Sequence, residues 1–492
     1  MMDFFNEYKT LTMKSNTTLF LIGLFFFSIP VFCQNKISKS KQDVINSVEK
    51  HQKELIELSD QIWAFAETAL LEHNSAEALA NYAEKNGFVV ERGVAGLPTA
   101  FIASYGSGKP IIGVLGEYDA LPGLSQKAQI TKEELEAGAP GHGCGHNMLG
   151  VGGLGAAISI KELIESGKLK GTIRFYGTPA EERFSGKVYM GRAGLFDDLD
   201  VCLDWHPGYE NEASMQSSQA ISDYSISFKG KTSHAAADPW NGRSALDAAE
   251  LFTSGMNYLR EHIKPSVRIH YVYTDAGKVP NVVPETASVW LWIRDSKRTG
   301  VAEVSERMRD IAKGAALMAG VEYDIKLNSG LYELLKNETG EKLLHQNMEL
   351  VGPITYTNEE LAFADKIMNA CKIESQGIKG EIKPLEATKE DPPGGSTDVG
   401  DVSQIVPQIS LSVTTTPYMA PWHSWVVVAC GGMSIGHKGM LFASKALATT
   451  MVDLFENEKL RKEIKEEFLK RKGKEIWKAM IPDGPPPFPE SK

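Results

Sequence analysis

Apolar runs of strand length alternate with helical patterns along most of this chain, and four of those runs lead straight into clusters of metal-capable side chains. Such alternation predicts an α/β fold, a mostly parallel sheet with helices on both faces. In open parallel sheets, sites assemble beyond the carboxyl ends of the strands. Ile111–Leu115 leads into Glu117-Tyr118-Asp119, with Gly141-His142-Gly143-Cys144-Gly145-His146-Asn147 further along. Thr172–Tyr176 leads into Thr178-Pro179-Ala180-Glu181-Glu182, and Val201–Leu203 into Asp204-Trp205-His206-Pro207. Gln408–Val413 precedes Pro421-Trp422-His423-Ser424. One such cluster would mean little. Four at equivalent strand ends is a convergence that core packing does not produce.

At 492 residues the chain is too long for one compact core. Its character changes near Ala220, where Tyr224, Ile226 and Phe228 fall on one face of an alternating run. Val267–Tyr273 and Thr286–Arg294 alternate likewise, helical patterns span Ser244–His262 and Val301–Ala319, and a further strand covers Val321–Leu327. The order strand, helix, strand, strand, helix, strand fits a ferredoxin-like α+β domain inserted into the larger one. The expected division is therefore a catalytic domain in two parts, 34–218 and 332–458, an insertion at 219–331, and a tail at 459–492. The charged stretch Lys459–Lys472 reads as a solvated helix, and Pro485-Pro486-Pro487 as part of an extended segment.

Thr18–Cys33 is apolar, follows Lys14 and is shorter than a full membrane span, so it reads as a signal peptide with export to the periplasm or beyond. Met13 offers a conventional start for it. An uncleaved anchor and a lipid-bearing Cys33 are the alternatives. A formal charge of -11 disfavours nucleic acid or an anionic membrane surface as partner. Cys144, Cys202, Cys371 and Cys430 show no disulfide-scaffold spacing, and Cys202 and Cys430 sit in apolar runs as small buried hydrophobes.

Thiolate, imidazole and carboxylate together are ligands for borderline-soft cations such as zinc. Cys144 and His146, two apart among glycines, can turn toward one point. In extended chain Glu181 and Glu182 would diverge, one holding a metal and the other facing water as general base. Singly, each has an ordinary explanation: a buried thiol, a solvated acidic pair, loop histidines at His206 and His423. Together they compose a site. Asp204, His142 and His437 have no comparable position and read as structural or supporting groups.

These stretches resemble the co-catalytic metallopeptidases that include aminoacylase, carboxypeptidase G and the plant auxin-conjugate amidohydrolases, in particular the aminobenzoyl-glutamate hydrolase branch. The matching motifs are GEYDALPGL, GHGCGHNM, GTPAEE, WHPG, KGKTSHAA, PNVVPETA, GGSTD and WHSW, in order along nearly the whole mature chain. The resemblance implies two divalent ions in each copy of the chain, zinc or manganese, with Cys144 bridging and His146, Glu182, His206 and His423 as the other ligands. Glu181 would be the general base. The inserted domain would serve as a lid and homodimer contact from which His234 reaches the partner's site to stabilise the oxyanion. Asn281 and Arg294 would hold a substrate carboxylate. From the sequence alone, His234 reads equally as a turn residue and Arg294 as a surface charge. Where many relatives have His-x-Asp, this chain has Glu117-Tyr118-Asp119, which leaves open whether Glu117 or Asp119 touches metal or supports a ligand. The implied activity is hydrolysis of N-acyl or N-aroyl amino acids, or of dipeptides. Two other classes compete: a cysteine hydrolase using Cys144 and His146, for which two-residue spacing is poor geometry, and a non-catalytic metal or peptide binder, which has no need of Glu181.

Overall fold

The structure, a computed structural model, describes residues 37–388 and 394–488; the apolar N-terminal segment read as a signal peptide lies outside them. From Ser38 onward the chain forms one compact unit. Helices α1 (Lys39–Phe65) and α2 (His73–Lys85) precede strands β1 (Val89–Arg92), β2 (Phe101–Ser107) and β3 (Ile111–Gly116). Then come α3 (His146–Glu165), β4 (Gly171–Gly177), α4 (Gly186–Arg192), β5 (Val201–Gly208) and β6 (Glu212–Ala213). A second set follows: β7 (Ala220–Lys229), α5 (Ala245–Leu259), β8 (Arg268–Asp275), β9 (Thr286–Asp295), α6 (Arg298–Ala319) and β10 (Glu322–Leu331). The chain closes with α7 (Glu338–Val351), α8 (Asn358–Ala370), α9 (Val399–Ser403), β11 (Gln408–Thr414), α10 (Trp425–Gly431), α11 (Ser434–Glu456) and α12 (Glu458–Lys472).

The large sheet has the order β1-β2-β4-β3-β5-β11-β6. Its four central strands, β4, β3, β5 and β11, run parallel, and β2, β1 and β6 pair antiparallel outside them. Alternate residues feed two cores: Val114, Phe175 and Leu203 pack with α1, α3 and α11, while Leu115, Tyr176 and Cys202 pack with α4 and α9. Helices on both faces follow from strands that are apolar on both sides. Helix α3 sits close because Gly152 leaves room for Trp205; a Cβ there would lie 2.8 Å from the indole nitrogen. Trp205 in turn donates to the Leu149 carbonyl at 2.9 Å. That contact sets His146, the first residue of α3, over the carboxyl edge of β5.

The smaller sheet has the order β10-β7-β9-β8, antiparallel throughout, as in a ferredoxin-like sandwich. Tyr224, Ile226, Phe228, Val289 and Leu291 bury against α5 and α6. The opposite face, with Asp223, Ser225, Trp290 and Trp292, carries no helix of this domain.

The end of the chain differs from its sequence reading as a solvated helix and an extended tail. Helix α12 buries Ile464 and Phe468, and Glu467 caps α7 by accepting from the Glu338 and Thr339 amides at 2.8 and 2.9 Å. Beyond it, Trp477 donates to Asp401 at 2.7 Å, Ile481 is buried, and Arg192 donates to the Pro482 and Gly484 carbonyls at 3.0 and 2.7 Å. Apolar islands among the charges and prolines dock the segment. Among the described residues no single helix is long and apolar enough to cross a membrane.

Candidate metal centre

The carboxyl ends of β3, β4, β5 and β11 do converge, and they bring Cys144, His146, Glu182, His206 and His423 together. Two three-donor groups share the thiol: Cys144, His146 and His206 form one, and Cys144, Glu182 and His423 the other, each with donor atoms within 4.8 Å of one another. Cys144 Sγ lies 3.4 Å from His206 Nε2 and accepts from Trp422 Nε1 at 3.3 Å. His423 Nε2 is 3.6 Å from Glu182 Oε1. Its backbone is left-handed, φ 51°, an uncommon choice for a non-glycine residue.

The groups behind the donors fix their orientation. His146 Nδ1 meets Asp119 Oδ1 at 2.9 Å, and His206 Nδ1 donates to the Pro207 carbonyl at 2.7 Å. Each ring therefore presents Nε2 to the centre, as metal-binding histidines do when the other nitrogen is engaged. Asp119 also accepts from the Glu182 amide at 2.9 Å, so one carboxylate steadies a histidine and the turn that carries both glutamates. Glu117 stands differently: its Oε2 faces His146 Nε2 at 3.1 Å, and with His146 and Glu181 it forms a third donor group.

A metal pair fits this site on the chemistry of its atoms. His146 Nε2 and Glu117 Oε2 face one another, Glu182 Oε1 faces His423, and none of the three buried atoms makes a hydrogen bond, a costly condition that a cation among them would relieve. Burial pushes the Cys144 thiol up to about 12 and the His206 imidazole down to about 4. A cation reverses both tendencies, since a coordinated thiol loses its proton outright. Desolvation, with the charges of Glu117 and Asp398 adding to it, raises Glu181 well above the ordinary carboxylate range.

Glu181 and Glu182 do not lie in extended chain as expected. They open a turn after β4, preceded by Ala180 at φ 62°. Glu72, from far back in the sequence, holds that turn: its Oε1 accepts from the Ala180 amide at 2.9 Å and its Oε2 from Thr99 at 3.1 Å. Behind the turn, the fully buried Lys187 ammonium bonds Glu117 Oε1 and Asp398 Oδ1, each at 2.6 Å. Sequence reasoning misses Glu72 and Lys187, and it reaches Asp398 only as part of GGSTD. No local pattern distinguishes them from solvated charges.

The remaining expected residues are dispersed. His234 is exposed, and its Nδ1 accepts from the Ala236 and Ala237 amides at 3.2 and 3.1 Å, bonds internal to its own loop. Asn281 is exposed beside it, its carbonyl accepting from the Ala235 amide at 3.0 Å. Arg294 is half-buried, lies 5.1 Å over the Trp292 ring and donates to Ser396 at 3.3 Å. His142 is buried against the Ile62 carbonyl at 3.0 Å, His437 pairs with Asp60 at 2.8 Å, and Asp204 takes a short bond from Gln408, so these three are structural.

Fold and site together define an α/β protein with donors for two metal ions sharing one thiolate. Residues 113–331 match Peptidase family M20/M25/M40. The chain is 38% identical over 473 residues to the B subunit of p-aminobenzoyl-glutamate hydrolase from Escherichia coli (strain K12), covering 90% of this chain and 98% of that protein. It is 30% identical to the Xaa-Arg dipeptidase of Mus musculus, covering 84% of this chain and 88% of the relative. In fold it resembles a Bacillus subtilis dinuclear metal binding peptidase of the M20 family, with TM-score 0.57, 18% identity, and coverage of 83% of this chain and 99% of that one. The chain belongs to Peptidase family M20/M25/M40, and it is a hydrolase of that family.

Proposed function

We propose that this protein hydrolyses the amide bond of N-acyl or N-aroyl amino acids, or of dipeptides, that carry a free carboxylate, using zinc or manganese. The observation that carries the reading is the thiol of Cys144 shared between two three-donor groups, with Glu181 beside them. The name of the Escherichia coli relative supports the aroyl form of the substrate, and that of the murine relative the dipeptide form.

Bound metal ions would supply Lewis-acid polarisation of the scissile carbonyl and of the attacking water. The chain's own groups do the rest. Cys144, His146, Glu182, His206 and His423 are the ligands, while Asp119 and the Pro207 carbonyl keep the imidazoles in the binding tautomer. Glu181 accepts the proton of the attacking water at a carboxylate oxygen and returns it to the leaving nitrogen. Arg294 and Asn281 hold the substrate carboxylate. His234, exposed on the inserted domain, reaches the site of a second protomer and steadies the oxyanion. That second protomer is another copy of this chain, as in a homodimer, or a companion chain, since relatives are named as the A and the B subunits of one hydrolase. Export to the periplasm or beyond, as the N-terminal sequence suggests, completes the reading.

The test is a panel of acyl amino acids, aroyl amino acids and dipeptides, incubated with the full chain loaded with zinc or manganese and read by mass spectrometry. Release of a free amino acid that a chelator abolishes is the expected result. Turnover of nothing in the panel, or turnover that survives chelation and dies on thiol alkylation, would overturn the reading.

A further inference from the structure

The turn that follows β11 brings more than His423 to the metal centre. Ser424 Oγ donates to the Pro421 carbonyl at 2.6 Å and accepts from the Val426 amide at 3.2 Å, so one hydroxyl closes the turn and caps α10. In extended chain the side chains of Trp422 and His423 would diverge. The left-handed backbone of His423, φ 51°, departs from that pattern, and both side chains reach the donor set. His423 Nε2 stands 3.6 Å from Glu182 Oε1 in one three-donor group. The Trp422 ring lies 6.0 Å from that of His206, a donor of the other group.

Between the two groups, Trp422 Nε1 donates to Cys144 Sγ at 3.3 Å. An indole has one polar hydrogen and no acceptor, so the direction of this bond is unambiguous. Sulfur accepts weakly when neutral, and hydrogen bonds strengthen when the acceptor is charged. A thiolate sulfur has lone pairs for three partners. The two donor groups that share Cys144 use two of them and leave one over. Cys144 is buried, so that pair finds its partner within the protein, and the Trp422 N–H is the group aimed at it.

Resting on the metal-dependent reading of this site, we infer that Trp422 is a positioning residue for the shared thiolate. Its N–H takes the remaining lone pair of the sulfur, fixes the direction in which Cys144 presents the other two, and draws charge off the sulfur. Cations held there are less neutralised by their common ligand, which favours Lewis-acid action on a carbonyl.

The experiment loads the full chain with cobalt(II), whose thiolate charge-transfer band reports on the sulfur directly. Trp422→Phe keeps a ring against His206 and removes the donor; the band itself shows that the variant is folded and loaded. Loss of the hydrogen bond raises the energy of the sulfur electrons, so the band should move to longer wavelength. Trp425→Phe alters the neighbouring indole, which packs in an apolar cluster with Ile367 and Cys430, and should leave the band at the wild-type position. Zinc affinity, measured by competition with a chelator, should fall in Trp422→Phe by about tenfold or more, the scale for removing the hydrogen-bond partner of a ligand. A band that stays in place in Trp422→Phe, an equal shift in Trp425→Phe, or an affinity within about twofold of wild type overturns the inference. A wild-type chain that takes up neither cobalt nor zinc instead overturns the metal-dependent reading beneath it.

Discussion

Lys187 is a side chain whose removal should cost the fold heavily. Its ammonium stands 2.6 Å from both Glu117 and Asp398, and all three side chains are between 0% and 4% exposed. Burial opposes its charge, but Asp398 and Glu117 outweigh burial and hold the ammonium above the ordinary lysine range. At an effective dielectric of about 20, each pair attracts by about 6 kcal/mol, much of it offset by the cost of taking three charges out of water. Lys187→Met keeps the volume and removes the charge, leaving Asp398 without its counter-ion and Glu117 with His146 alone, a change that costs about 3–5 kcal/mol. The assay is guanidinium unfolding followed by tryptophan fluorescence on chelator-treated protein, so that metal binding does not enter. Asp398→Asn and the double variant complete a cycle, and a coupling of at least about 2 kcal/mol between the two positions is expected. A loss under about 1 kcal/mol for Lys187→Met, or additive effects in the cycle, would refute the idea that one buried ammonium holds both carboxylates.

Three further outcomes follow from the geometry. Glu181→Gln should lower kcat by about a thousandfold while metal content, measured by mass spectrometry, stays at the wild-type level; activity near wild type would remove it from the base position. Cys144→Ser should weaken the binding of both ions by at least about a hundredfold, because the thiolate is common to the two donor groups, and full occupancy after gel filtration would count against sharing. Glu162, on α3, faces Lys50 at 2.9 Å and His51 at 3.1 Å on α1. Burial opposes its charge, yet the Lys50 and His51 hydrogen bonds outweigh it and lower the carboxyl from 4.5 to about 2. A lowered folded value means stability that is present above pH 4.5 and lost as pH falls toward 2. Glu162→Gln should therefore cost about 1 kcal/mol near neutral pH, after allowance for solvent screening, and nothing near the folded value; a gap between wild type and variant that is unchanged across that window would contradict it.

The parallel core of the sheet was legible because β3, β4, β5 and β11 are short apolar runs that stop at turn-forming residues, and a strand buried on both faces has that pattern. The same runs disclosed the donors, since whatever follows a central strand at its carboxyl end must face the same rim. What the sequence concealed was whatever one part of the chain imposes on a distant part. Glu181 and Glu182 look extended until Glu72, 108 residues from Ala180, bends that residue into the left-handed region. Lys187 lies in the short helix α4 (Gly186–Arg192), between Gly186 and Val188, where a lysine reads as solvated; only the arrival of Glu117 and Asp398 from other parts of the chain makes it a buried counter-ion. In the tail, Trp477 and Ile481 were the available signal against a solvated reading, outweighed by the surrounding charges and prolines.

The stretch from Gly395 to Asp398 shows why the insertion and the catalytic sheet act on one another. The Gly395 carbonyl accepts from the Gln219 amide at 2.8 Å, where the chain leaves for the small sheet. Ser396 accepts from Arg294 of β9 at 3.3 Å, and Asp398 holds Lys187 behind the turn that bears Glu181. One short stretch thus joins the entrance of the inserted domain, the arginine proposed for the substrate carboxylate and the support of the base. A substrate carboxylate that engages Arg294 competes with Ser396 for the guanidinium. Asp398, two residues beyond Ser396, is joined through Lys187 to Glu117, and Glu117 faces His146. The two ion pairs of Lys187 are 2.6 Å long and buried, in a part of the molecule packed without slack. The proposed capture of a substrate carboxylate at Arg294 would thus fall within one short stretch of the ion pairs that stand behind Glu181.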